Sequence, residues 1–111
     1  MASLTKGYGT GVQMSVPAAG QQYDPQDTLK ASGTYSAGWT VDNVHIIYED
    51  ETGTTVTLNP AGGLSQANGA WSASFNLPNL DNWEFLCAVR AHQGSTKDNV
   101  DHYFSTGTAP L

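Results

Sequence analysis

The stretch Trp71 to His92, WSASFNLPNLDNWEFLCAVRAH, constrains the fold more than any other part of the chain. It holds two runs of period two. In the first, Trp71, Ala73, Phe75 and Leu77 alternate with Ser72, Ser74 and Asn76; in the second, Trp83, Phe85, Cys87, Val89 and Ala91 alternate with Glu84, Leu86, Ala88, Arg90 and His92. Successive side chains of a strand point to opposite faces, so each run reads as a strand with one buried side. Pro78, Asn79, Asp81 and Asn82 between them suit a change of direction. A sheet protein with a packed core follows.

The chain has 111 residues, which fits one domain with a core of its own. Its 4 Lys and Arg against 10 Asp and Glu give a net charge of −6. Such a surface repels phosphate backbones and anionic lipid heads, so nucleic acid and membrane surfaces are excluded as expected partners. The polar, weakly charged composition is common in secreted modules and virion proteins. One cysteine rules out an internal disulfide and any multi-cysteine metal site. No apolar run reaches the length of a membrane span. The start, MASLTKGYGTG, does not read as a signal peptide. Two origins fit: a module excised from a larger secreted or surface protein, or a protein assembled inside the cell, such as a phage structural component.

Residues 1–11 read as a flexible Gly-rich lead-in and 105–111 as a flexible tail, leaving a domain over 12–104. Seven strands are expected there. Val12, Met14 and Val16 alternate before Pro17; Leu29, Ala31, Gly33 and Tyr35 form the inward face of a second strand. Val44, Ile46 and Tyr48 mark a third, joined through Glu49 to Gly53 to a fourth with Val56 and Leu58. Asn59 to Asn68 reads as a loop. The two strands of the opening motif follow, then a second loop, QGSTKDN, and a last strand with Val100, His102 and Phe104. Short strands separated by turns predict a seven-stranded antiparallel sandwich, with a small closed barrel as the alternative. The expected core is Leu29, Val44, Ile46, Trp71, Phe75, Trp83, Phe85, Cys87 and Val89.

Val41, Val44 and Ile46, then Gly69, Trp71 and Ser72, then Leu80 and Trp83, and finally Ala91 follow a pattern of short motifs. In these the chain resembles bacterial immunoglobulin-like modules, the fibronectin-type-III-like units of surface and secreted multidomain proteins. The resemblance spans about residues 12–104 and implies an immunoglobulin-like sandwich with a structural or adhesive role. Trp83 stands where that family usually has Tyr, and AHQGSTKDN departs from its usual ending.

Chemistry-bearing residues are sparse. His45, His92 and His102 lack HxH or HExxH spacing, so no metal is expected. Glu49, Asp50 and Glu51 form the densest acidic cluster, with Asp98 and Asp101 elsewhere; calcium is the cation such loops take, but the spacing fits a solvated turn better. No nucleophile elbow is present, and Cys87 on an inward strand face behaves as a small hydrophobe. No catalytic residue and no cofactor are therefore expected. Among the aromatics, Trp39 beside Gly38 is the candidate for an exposed ring that a glycan would stack on.

The expected function is non-catalytic: a module that spaces, adheres or assembles within a secreted, cell-surface or virion structure. A phage decoration or fibre protein and a carbohydrate-binding module are the alternatives. Leu86 and Ala88 hold outward positions where this pattern otherwise places polar residues. With Ile47 and Tyr103 on flanking strands they are expected to form an apolar patch for a protein partner or neighbouring module.

Overall fold

The computed structural model describes residues 11–107. The chain forms two sheets. Strands β1 (Val12–Val16), β3 (Thr28–Tyr35), β7 (Ala70–Asn76) and β6 (Ala61–Ala67) make one, in the order β1-β3-β7-β6. Strands β2 (Gln22–Tyr23), β9 (Thr96–Thr106), β8 (Trp83–Gln93), β4 (Thr40–Glu49) and β5 (Thr55–Leu58) make the other, in the order β2-β9-β8-β4-β5. All neighbours are antiparallel except β2 and β9. The chain passes from one sheet to the other through a cis Val16–Pro17 peptide bond.

The alternating runs set the register. Phe75, Ala73 and Trp71 of β7 lie opposite Leu29, Ala31 and Gly33 of β3. Phe85, Cys87 and Val89 of β8 lie opposite Phe104, His102 and Val100 of β9. These inward positions close a core that includes Trp71, Phe75, Phe85, Phe104, Leu29, Ile46 and Cys87, all buried. A fully buried Phe or Leu side chain contributes about 1.5–3 kcal/mol. A row of rings runs along one end of the core, with Tyr48 5.0 Å from Phe85, Phe85 stacked 5.2 Å from Phe104, and Tyr23 edge-on 5.7 Å from Phe104. Gly33 is required by packing. A Cβ there would run into the Gln13 carbonyl and stand 2.6 Å from the Trp71 indole nitrogen, which donates to that same carbonyl at 3.0 Å.

Polar side chains tie the sheets together. The buried Asp98 carboxylate accepts the backbone N–H groups of Gly11 at 2.8 Å and Val12 at 3.1 Å. Thr106 donates its hydroxyl to the Leu80 carbonyl, fixing the corner before β8.

Four expectations need correction. Among the described residues there are nine strands, two more than expected: the two-residue β2, and β6, which occupies the supposed loop Asn59 to Asn68. The QGSTKDN loop shrinks to a turn at Gly94 and Ser95, because Gln93 already pairs with Thr96. Trp83 is half-buried at the end of its strand, so it caps the core edge instead of filling the interior. Gly11, assigned to the lead-in, is buried, and β9 continues through Thr106, which is buried as well. The remaining lead-in and tail residues, 1–10 and 108–111, lie outside the described residues.

Candidate functional site

Strand register brings three of the expected contact residues into one row on the outer face of the five-stranded sheet. Ile47 of β4 lies opposite Leu86 of β8, and Leu86 lies opposite Tyr103 of β9. Side chains directly opposite on neighbouring strands share a face, so the three are adjacent. Tyr103 is 59% exposed, the one large hydrophobic residue so exposed among the described residues. Ile47 and Leu86 are half-buried.

Ala88 departs from expectation. It lies on the same face, one row along between His45 and Asp101, but it is 0% exposed. Its methyl group is short, and it stands outside the core cluster among longer neighbours. In those neighbouring rows Arg90 and Asp101 form an ion pair at 2.7 Å. Burial of the His45 ring lowers its pKa, with the Arg90 charge adding to that effect and Asp101 opposing it. Ala88 therefore contributes no contact surface. Trp39 is also displaced from its expected role. It is half-buried against the core, and a Cβ on Gly11 would stand 2.5 Å from its ring. It does not line the hollow described next.

The row Ile47–Leu86–Tyr103 borders a hollow of about 660 Å³, open to solvent. Its other walls come from the β4–β5 turn and the start of β8, including Glu49, Asp50, Glu51, Trp83 and Glu84. Trp83 is held there because its indole N–H donates to the Glu49 carbonyl at 2.6 Å. The turn is shaped by Asp50. One of its carboxylate oxygens accepts from the Thr52 N–H at 2.9 Å, the Thr52 hydroxyl at 2.6 Å and the Thr54 N–H at 3.0 Å. The Thr52 hydroxyl bond is the main reason the Asp50 pKa is lowered. That oxygen is committed to the turn, and no group of three or more His, Cys, Asp or Glu arranged to hold a metal occurs among the described residues. The other histidines are engaged elsewhere: His92 with Asp42 at 2.7 Å, and His102 with the Pro17 carbonyl at 2.7 Å.

Trp83 is the residue of this hollow that the sequence placed elsewhere. Its in-phase position predicts core, and only its place at the first residue of the strand, after a polar turn, signals a ring at the rim.

No family model and no curated protein sequence matches the chain. Solved structures do. An endo-β-1,4-mannanase from Thermotoga petrophila matches with TM-score 0.62 at 9% identity, over 89% of this chain and 20% of the mannanase. This chain thus spans about a fifth of that protein's length. CopC from Methylosinus trichosporium OB3b matches with TM-score 0.53 at 13% identity, over 90% of this chain and 98% of CopC. Murine CRIg matches with TM-score 0.52 at 10% identity, over 89% of this chain and 97% of CRIg. The orders β1-β3-β7-β6 and β9-β8-β4 of this chain follow the two-sheet arrangement of immunoglobulin-type sandwiches. The fold is an immunoglobulin-like sandwich. At these identities the likeness is one of fold, and fold leaves function to be argued from the site.

Proposed function

We propose that this domain is a non-catalytic immunoglobulin-like module with a structural, adhesive or assembly role in a secreted, cell-surface or virion structure, of the bacterial immunoglobulin-like and fibronectin-type-III-like kind. The observation that carries the reading is the apolar row of half-buried Ile47 and Leu86 and exposed Tyr103 beside the Trp83 hollow, on the outer face of a sheet. Apolar surface of this kind marks protein contacts, and aromatic residues are enriched in them. The mannanase comparison supports a modular role, since there a similar fold occupies part of a much longer chain.

The test is substitution on that row. Leu86→Lys and Ile47→Lys should weaken association with the partner or neighbouring module while leaving the thermal unfolding transition cooperative. If both variants unfold the domain, the residues serve the core and the contact reading fails.

A carbohydrate-binding role is the second reading, and it moves from Trp39 to the hollow. Tyr103 and Trp83 would supply stacking rings, and Glu49 and Glu84 acceptors for sugar hydroxyls. A glycan array with a Tyr103→Ala control separates the two readings.

A further inference from the structure

We infer that the hollow beside Trp83 docks a positively charged, apolar-bearing segment of a different protein, and that this face does not pair with a second copy of itself. The inference deepens the contact-surface reading above and rests on it.

The argument starts from charge placement. Two residues on from the pair Ile47 and Leu86, along their own strands, stand Glu49 and Glu84. Alternation puts both carboxylates on the outer face, next to the apolar row. Glu51 follows in the turn, and all three side chains are exposed walls of the hollow. Among the described residues none of the three has an ion-pair partner; the ion pairs there are Arg90–Asp101 and His92–Asp42. Neighbouring like charges without counter-charge repel, so the site carries a local negative potential over an apolar floor.

That combination selects its occupant. A lysine- or arginine-bearing segment would relieve the repulsion while its apolar side chains cover Leu86, Ile47 and the Trp83 and Tyr103 rings. The aromatic rings also favour cations at their faces. A second copy would be a poor fit. Two-fold pairing of this face sets the same patch against itself, the residues lining the hollow include no Lys, Arg or His to meet Glu49, Glu51 and Glu84, and the whole chain offers 4 Lys and Arg to offset 10 acidic residues.

The experiment titrates the isotopically labelled protein with three short synthetic peptides, followed by amide chemical shifts. One alternates lysine with leucine and tryptophan, one replaces each lysine by glutamate, and one alternates lysine with glycine. The lysine–leucine–tryptophan peptide should shift the amides of Trp83, Leu86 and Tyr103. It should bind at least about tenfold more tightly than either control and weaken as salt shortens the screening length from about 30 Å at 0.01 M to about 8 Å at 0.15 M. Glu84→Gln together with Glu51→Gln should reduce that binding with no change in melting temperature, and sedimentation should find no self-association through this face. Equal binding of the glutamate peptide would overturn the charge inference while leaving an apolar contact site. Shifts confined to other strands, or no shifts with any peptide, would overturn the site and the contact reading together. A dimer disrupted by Leu86→Lys would overturn the exclusion of self-pairing.

Discussion

The side-chain amide of Gln66 pairs with both backbone groups of Val41, accepting from its N–H at 3.0 Å and donating to its carbonyl at 2.8 Å. Gln66 belongs to β6 and Val41 to β4, which lie in different sheets. Val41 borders the irregularity where the β4–β8 register shifts, between Val41 and Asn43. A bulge there leaves backbone groups that the ladder does not satisfy. Gln66 stands in for a neighbouring strand at that point and links the two sheets along one edge.

Gln66→Leu should therefore cost about 1–3 kcal/mol, because a partly buried backbone N–H and C=O each lose a partner. Urea denaturation measures the loss. Native-state hydrogen exchange should show the Val41 amide opening faster in the variant, with amides of β9 unaffected.

Asp98 performs a similar service at the other edge, where its carboxylate, 2% exposed, accepts from Gly11 and Val12. Asp98→Ala should destabilise the domain by about 1.5–3 kcal/mol, the range for hydrogen bonds to a charged group. Asp98→Asn, which keeps one acceptor oxygen, should lose less. Equal stability of Asp98→Ala and the parent protein would refute this.

Burial pushes the Cys87 thiol up to about 12 from an ordinary value of 9.0. The thiolate is the reactive form, so a thiol reagent at neutral pH should label native Cys87 far more slowly than the unfolded chain. Linkage gives a second expectation. Above pH 9.0 the unfolded chain releases this proton while the folded one keeps it, so stability falls between pH 9.0 and about 12. Cys87→Ala should abolish that part of the alkaline decline, measured as the difference in unfolding free energy across the same pH range.

Asp50 acts in the opposite direction. Its folded pKa is lowered, chiefly by the Thr52 hydroxyl, so its carboxylate stabilises the fold above the ordinary carboxylate pKa. That stability is lost as pH falls through the lowered value. Melting curves of Asp50→Ala and the parent should differ at neutral pH and converge in acid. A constant gap at every pH would show that the turn depends on shape and not on the charge.

The sheet class, the inward face of β3, β7 and, Trp83 apart, β8, and the burial of Cys87 were legible in the sequence, because alternation with a single buried face leaves one consistent phase. Val41 and Val44 break strict alternation, yet both are buried, and the register shift between β4 and β8 supplies the reason. β6 escaped because nearly all its side chains are exposed and Gly62 and Gly63 interrupt it. It is held by backbone pairing to β7 and by Gln66, neither of which leaves an apolar pattern. One signal was available: Asn68 and Gly69, both at positive φ, form the two-residue link between Ala67 and Ala70, and Asn-Gly favours such hairpins.

The candidate site divides in the same way. Leu86 was conspicuous by itself, an apolar residue out of phase on an outward position. Its union with Ile47 and Tyr103 depends on cross-strand register, which places residues far apart in sequence side by side. Ala88 shares that face, but its exposure was decided by the reach of the surrounding side chains. Trp83 likewise became a wall of the hollow through the hydrogen bond to the Glu49 carbonyl, a contact between separate strands. Local alternation fixes which way a side chain points, because it follows from backbone geometry. What stands beside it, and whether water still reaches it, is fixed only when the strands pair and the two sheets close.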